Sequence, residues 1–418
     1  MQKISVLVVD DSALMRQLLS TMIDQSKDLM VVGTAADANQ AREKIKKFNP
    51  QVITLDVHMP GMDGLVFLEK LMRLHPMPVV MVSAYTQSGS ETTLKALELG
   101  AVDFIGKPQF KNELDMQNYS QELVEKIKTA ALAKLHINRH LYNYAHNRSA
   151  LQLHANDYKA NISGVDNFNN TLPSNIPTNI HNHRNPAHAS HLLNDLQQQH
   201  HNNVVIGTNN NICNICNINN IKPHTRQYNF KSKKIIAVGA STGGTEALKD
   251  FLMVMPKNCP PILIVQHMPE HFTASFAERL NKLCQPRVIE SQGDERISEG
   301  TVYIAPGHSH LLFQAGFPHR TALSSDPPVN RHRPSVDVLF SSLIPYAPNV
   351  VAVILTGMGK DGAASMLKLA QAGALTLGQD EKSCVVYGMP REAFSLGAVQ
   401  EQCSIEKIGE RALELCCE

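Results

Sequence analysis

The chain reads as an α/β protein: two doubly wound parallel-sheet domains on either side of a long polar segment. Three observations predict this. Short β-branched runs alternate with longer amphipathic stretches over residues 1–128 and again over 233–418, the pattern of a parallel sheet covered by helices on both faces. Residues 129–232 keep neither period and are rich in Asn, His and Gln. The length, 418 residues, exceeds what a single core usually holds, so two to three domains are expected.

In the first domain ISVLVVD, VITLD, VVMVS and DFIGK are strand-like runs. Between them ALMRQLLSTMI, ANQAREKIKKF and LVFLEKLMRL have helical character, and Leu65, Leu68, Leu71 and Met72 fall near helical spacing. The charges of AREKIKKF belong on a solvated helix face. A last helix, about residues 113–135, runs into the polar segment. That segment contains HNHRNPAHASHLLNDLQQQHHNN and TNNNICNICNINN. It cannot bury enough apolar surface to fold and is expected to be a disordered linker. Cys213 and Cys216 form C-x-x-C there, a spacing that chance in low complexity explains better than a four-ligand metal site. Strand-like runs return with KIIAVGAS, PILIVQHM, RVIESQ, TVYIAP, HLLFQ, VVAVILTG and ALTLGQD. The short runs around residues 303–323 suggest antiparallel hairpins inserted in the second domain.

Composition narrows the function classes. Hydrophobic residues make up 43% and charged residues 18%, which fits a globular protein. With 39 basic and 38 acidic side chains the net charge is +1, so bulk charge steers the chain toward neither nucleic acid nor anionic lipid. The start, MQKISVLVVDDS, is too short and too acidic for a signal peptide, and no apolar run reaches bilayer-spanning length. The eight cysteines are scattered and are expected to be reduced thiols in a cytoplasmic protein.

Asp10 and Asp11 follow the first strand of the first domain and Asp56 follows the third. In an open parallel sheet, ligands bind beyond the carboxyl ends of the strands. Carboxylates crowded there repel one another unless a cation joins them, and hard oxygen ligands at a partly open site suit Mg²⁺. Ser83 ends the fourth strand and offers a hydroxyl to a phosphoryl oxygen, while Lys107 ends the fifth and supplies positive charge. An aspartyl phosphate needs these groups to form and persist. The DD at 10–11, LDVHMPGMDG at 55–64, SA at 83–84 and KP at 107–108 resemble a response-regulator receiver domain, which has a flavodoxin-like fold with a five-stranded parallel sheet. The resemblance implies that Asp56 is the phosphoacceptor. It implies that Asp10, Asp11, Asp56 and the backbone carbonyl of His58 hold Mg²⁺, and that Ser83 and Lys107 sense the phosphoryl group. Tyr85 or Phe104 would be the switch aromatic.

In the second domain IIAVGASTGGTEAL is an apolar strand, a glycine-rich turn and a helix. Gly239, Ser241 and Gly243 satisfy G-x-S-x-G, in which a serine sits exposed on a sharp turn. Amides around Thr242 at the start of the helix offer donors to a developing oxyanion, although such a turn also suits a phosphate. The next strand ends at His267, and a later one, in LTGMGKDG, delivers Asp361. A parallel sheet would set all three along one edge, with Ser241 attacking, His267 moving the proton and Asp361 orienting the imidazole. His271, His308, His310 and His332 compete for the histidine role, and Asp326, Asp337 and Asp380 for the acid. Asp361 could equally be a helix N-cap. The order Ser…His…Asp differs from the Ser…acid…His of α/β-hydrolases.

GASTGGTEAL, VQHMP, APGHSHL, NRHRPSVDVLF, ILTGMGKDGA and VVYGMPREA are similar, in this order, to the catalytic domain of the chemotaxis protein-glutamate methylesterase (CheB) family. The resemblance implies that Ser241, His267 and Asp361 are the triad, and that Met358 helps shape the oxyanion pocket together with Thr242. It implies hydrolysis of glutamate methyl esters, and deamidation of some glutamines, on methyl-accepting chemoreceptors. A chemotaxis histidine kinase would be the phosphodonor; neither nucleic acid nor membrane insertion is implied. In the family the unphosphorylated receiver packs over the catalytic face. The long linker departs from the family pattern and lowers the effective concentration of that packing, though only slowly with length.

Overall fold

A computed structural model describes residues 3–59, 61–83, 87–108, 112–134, 228–231 and 233–417; for residues 83 and 87–90 it describes the backbone alone. The expected linker begins at residue 129, but residues 129–132 continue the last helix of the first domain. The described part of that stretch is 129–134 and 228–231, and the rest of it, with Cys213 and Cys216, lies outside the described residues, as does Tyr85.

The first domain is built on β1 (Ile4–Val9), β2 (Leu29–Ala35), β3 (Val52–Asp56), β4 (Val79–Ser83) and β5 (Asp103–Gly106). They form one parallel sheet in the order β2-β1-β3-β4-β5. Successive residues of β1 divide between two cores. Leu7 and Val9 pack on one face and Val6 and Val8 on the other, so both faces are covered and the strand is apolar throughout. The helices are α1 (Ala13–Asp24), α2 (Ala38–Phe48), α3 (Gly64–Leu74), α4 (Gln87–Glu98) and α5 (Glu113–Leu132). Ser12, Asp37, Asp63 and Asn112 each accept a backbone N–H at a helix start, which fixes where α1, α2, α3 and α5 begin.

The second domain contains β6 (Ile235–Ala240), α6 (Gly244–Met253), β7 (Ile262–Gln266), α7 (Glu270–Leu283), β8 (Arg287–Glu290) and β9 (Thr301–Ile304). An antiparallel hairpin follows, β10 (His310–Gln314) and β11 (Arg320–Ser324), then α8 (Val336–Leu343). The remaining elements are β12 (Val350–Ile354), α9 (Ala363–Gln371), β13 (Leu375–Gln379), α10 (Met389–Ser395), β14 (Glu401–Cys403) and α11 (Ile405–Leu415). Seven strands form a parallel sheet in the order β14-β13-β12-β6-β7-β9-β8. One expectation is corrected. Tyr303 lies in β9, inside this parallel sheet, and the antiparallel pair is confined to β10 and β11. The four-residue β9 is too short for its sequence to reveal which partner it takes. β14, three residues long, carries too little pattern to be read at all.

The two sheets share an apolar cluster. Phe104 of β5 and Phe272 of α7 have ring centroids 4.5 Å apart, and one continuous set of buried side chains runs through them. Glu98 of α4 forms an ion pair with Arg279 of α7. The cysteines described are free, and burial pushes the Cys259 and Cys416 thiols up to about 12, so they are inert at neutral pH. Among the described residues no helix is long and apolar enough to cross a membrane.

Candidate functional site

Two sets of reactive side chains sit at carboxyl ends of strands. The first lies where the receiver sheet reverses its order, between β1 and β3, the place a doubly wound sheet opens a crevice. β1 delivers Asp10 and Asp11 there, and β3 ends on Asp56. Their carboxylate oxygens come within 4.8 Å of one another; Asp10 and Asp56 are buried and Asp11 is exposed. Lys107 Nζ donates to Asp56 Oδ2 at 2.8 Å and lies 3.4 Å from Asp10 Oδ2. Burial, followed by the charge of Asp56, raises the Asp10 carboxyl above its ordinary value. Burial alone would lower the Lys107 ammonium, but its bond to Asp56 and the two carboxylate charges hold it above its ordinary value. Asp10 Oδ2 is buried and accepts no hydrogen bond among the described residues. Crowded carboxylates, with a buried Asp10 oxygen that has only the Lys107 ammonium beside it and with one open side, fit a hard divalent cation. His58 donates its N–H to Asp56 Oδ1 at 3.3 Å, which sets its backbone at the pocket. Ser83 ends β4 opposite Gly106; its side chain lies outside the described residues.

The second set lies where the larger sheet reverses, between β6 and β12. β6, β7 and β12 are adjacent and completely buried, so they form a rigid edge. Ser241 follows β6 directly, His267 follows β7 directly, and Asp361 follows β12 after a short loop. His267 Nδ1 lies 3.2 Å from Ser241 Oγ, and Nε2 lies 2.9 Å from Asp361 Oδ2. The ring thus presents Nδ1 to the serine and Nε2 to the carboxylate, the reverse of the chymotrypsin-type triad. A neutral imidazole protonated on Nε2 donates to Asp361 and leaves Nδ1 free to accept the serine proton.

Close backbone packing holds Ser241. Gly243 has φ +75°, and a Cβ there would stand 2.6 Å from Val385. A Cβ on Gly357 would stand 2.7 Å from that of Ser241. Ser241 donates its N–H to Thr356 O, 3.0 Å away, so that amide is engaged. The amides of Thr242 and Met358 donate to no group among the described residues and flank the serine from two loops. Both are donors available to an anion at this edge.

Asp361 is not the cap of the helix that follows it; Gly362 occupies that place. Its carboxylate crosses to the start of α8, accepting Val336 N at 2.6 Å and the Ser335 hydroxyl at 2.7 Å. Asn330 Nδ2 donates to Asp361 Oδ1 at 2.7 Å and to Asp337 Oδ2 at 2.7 Å. Burial works to raise the Asp361 carboxyl, but the bond to His267 and its charge, then Asn330 and Ser335, outweigh it and hold the group well below the carboxylate range.

The competing residues are placed elsewhere. His310 accepts Ser335 N at Nδ1 and lies 3.2 Å from Pro327 O. His308 faces Glu270 at 3.6 Å on the surface, Asp380 binds Ser383, and Asp326 is exposed. Asp337 accepts Ser365 N at 2.9 Å and steadies Asn330. His332 is the exception. It stacks on His267 with centroids 3.7 Å apart and planes 10° from parallel. Burial, then the neighbouring His267, pushes the His332 imidazole down to about 3, so it is neutral. Asn330, His332 and Ser335 all come from the family-like motif NRHRPSVDVLF; His332 stood there as one competing histidine, while Asn330 and Ser335 had no period or spacing to single them out.

The receiver reaches this edge. Thr242 Oγ1 donates to Asp103 Oδ2 at 2.7 Å, and Thr129 Oγ1 of α5 contacts Met358 Sδ. Both Thr242 and Met358, beside Ser241, are therefore touched by the first domain.

Residues 236–412 match the CheB methylesterase family, and residues 6–117 match the response regulator receiver domain. A protein-glutamate methylesterase/protein-glutamine glutaminase 1 of Dechloromonas aromatica is 52% identical over 98% of this chain and 98% of its own. A protein-glutamate methylesterase/protein-glutamine glutaminase of Nitrosomonas europaea is 47% identical over 99% and 96%. The crystal structure of the Thermotoga maritima CheB methylesterase catalytic domain is 38% identical and covers 44% of this chain and 100% of its own, with a TM-score of 0.43. Receiver motifs, an esterase-like triad and relatives matched from end to end agree: the chain belongs to the CheB family of protein-glutamate methylesterases/protein-glutamine glutaminases.

Proposed function

We propose that this protein is a phosphorylation-controlled serine hydrolase that removes methyl esters from glutamate side chains of methyl-accepting chemoreceptors and deamidates some of their glutamines. The observation that carries the reading is the Ser241–His267–Asp361 relay, with both hydrogen-bonding distances in place, in a chain of this family.

Ser241 Oγ attacks the ester carbonyl while its proton passes to His267 Nδ1. Asp361, held as a carboxylate, stabilises the imidazolium through Nε2–H. The oxyanion would lie against the amides of Thr242 and Met358. Collapse of the tetrahedral intermediate breaks the bond to the methoxy oxygen, and His267 gives its proton to release methanol. A glutamine substrate would release ammonia at the same step. Water then attacks the acyl-serine, gives a proton to His267, and frees glutamate and Ser241.

Control is assigned to the receiver. Asp56 is the phosphoacceptor, and a chemotaxis histidine kinase supplies the phosphoryl group. Lys107 pairs with Asp56 and would follow the added charge, with the Ser83 hydroxyl assigned to a phosphoryl oxygen. Asp10, Asp11, Asp56 and the His58 carbonyl would hold Mg²⁺, which when bound offsets the charge of carboxylates and phosphoryl group. Contacts from Asp103 and Thr129 to the residues flanking Ser241 support restraint of the esterase by the unphosphorylated receiver. The cytoplasm is the compartment assigned, where such receptors expose their glutamates.

Methanol release from methylated receptor membranes tests the reading. Wild type releases methanol, faster with a phosphodonor; Ser241→Ala loses at least about a thousandfold; Asp56→Asn no longer responds to the donor. Full activity in Ser241→Ala would sink the mechanism, and equal wild-type rates with and without donor would sink the control.

A further inference from the structure

One face of α5 lies along the catalytic edge. Glu125 forms an ion pair with Arg331, Thr129 touches Met358, and just past the helix Lys134 N donates to Val385 O at 2.9 Å. Glu125 and Thr129 are four residues apart and so share one helical stripe. The rim beside the nucleophile therefore already receives a helix lengthwise, and that helix presents a carboxylate to an arginine.

Arg331 is unusual in its own backbone. Val329 and His332 exchange N–H to O bonds of 3.1 and 2.9 Å, closing a two-residue turn. Its central residues, Asn330 and Arg331, have φ of 53° and 68°. Such turns favour Asn then Gly, because a side chain in the second position is strained by about 1 kcal/mol or more. Asn330 suits its place and serves Asp361. Arg331 does not suit its place, and its side chain remains 71% exposed, so packing does not account for it. The same turn sets His332 on His267. The turn thereby fixes the backbone of Arg331 on this rim, where its guanidinium pairs with Glu125.

We propose that the rim carrying Arg331 is the docking surface for the substrate helix, with Arg331 pairing to a carboxylate near the reacting glutamate, and that α5 occupies this surface in the structure. The proposal rests on the esterase reading above and names what that site recognises: a helix bearing carboxylates, as α5 bears Glu125. Helix-in-groove recognition with a charged anchor supplies register as well as affinity.

The test uses the full chain with a phosphodonor present, so that pairing to Glu125 is not the variable. Methanol release from methylated receptor membranes gives KM and kcat for wild type, Arg331→Gly and Arg331→Lys. Relieving the turn, Arg331→Gly keeps or raises the melting temperature. Its KM for receptor rises about tenfold while kcat falls less than about threefold, and Arg331→Lys recovers most of the affinity. The wild-type KM rises with added salt more steeply than that of Arg331→Gly. An unchanged KM in Arg331→Gly, or a loss confined to kcat, would overturn the docking role while leaving the esterase reading intact. Absence of methanol release by wild type would overturn both.

Discussion

Thr242 Oγ1 and Asp103 Oδ2 are joined by a 2.7 Å hydrogen bond that links the residue after Ser241 to the first residue of β5 in the receiver. Asp103 is itself held, since Oδ1 accepts Lys126 Nζ at 2.9 Å and Phe104 N at 2.7 Å. A hydrogen bond to a charged group contributes about 1.5–3 kcal/mol. Asp103→Ala is expected to raise methanol release without phosphodonor by about tenfold and to narrow the response to the donor. An unchanged basal rate would show that this contact does not restrain the enzyme.

Asn330 bridges Asp361 and Asp337 with one amide nitrogen. Asn330→Ala removes that support while leaving Ser335 and the α8 amides on Asp361. Its kcat should fall about ten- to a hundredfold with KM changed little, as expected when a group that orients the imidazole is loosened. Steady-state kinetics on receptor membranes decide the matter; a rise in KM alone would assign Asn330 to substrate binding instead.

His332, neutral in the fold with its imidazole pushed down to about 3, ties stability to acid. The unfolded chain protonates this group near its ordinary value of 6.5 and the folded one does not. Protons therefore favour the unfolded state from about pH 6.5 downward to about pH 3, at a limit of about 1.4 kcal/mol per pH unit. Asp361 adds a separate loss only below about pH 4, because its depressed carboxylate stabilises the fold above the unfolded value. His332→Phe keeps a ring against His267 and should flatten the slope between about pH 6.5 and about pH 4.5 in urea unfolding. A variant with the wild-type slope would rule out His332 as its source.

The acidic pocket makes a prediction that needs no catalysis. Calorimetric titration with Mg²⁺ should give saturable heat for wild type and almost none for Asp11→Ala, whose carboxylate is the exposed one of the three. Lowering the pH should weaken binding as Asp10, raised above its usual range by burial and Asp56, takes up a proton. Equal titrations for the two proteins would place the cation elsewhere.

What the sequence by itself determined were the parts written in strand pattern. The apolar runs ending at Asp56, Ser241 and His267 announce both sheets and the strand ends where ligands gather, because a strand buried on both faces has no room for polar residues until it stops. By strand pattern alone Asp361, behind a loop after β12, was one acid among several, and the family resemblance was what singled it out. Tertiary structure sets it beside His267 by bringing β12 beside β6 and aiming the start of α8 at its carboxylate. Asn330 was not read at all and His332 only as a competing histidine, because their placement depends on a turn whose backbone has no periodicity. Nor could the meeting of Asp103 with Thr242, residues far apart in sequence, be read: a contact between two domains leaves no mark on the local pattern of either. Sequence periodicity encodes which residues face a core, and so fixed the two folds; which side chains meet across loops and between domains is set by packing, and only the folded chain decided that.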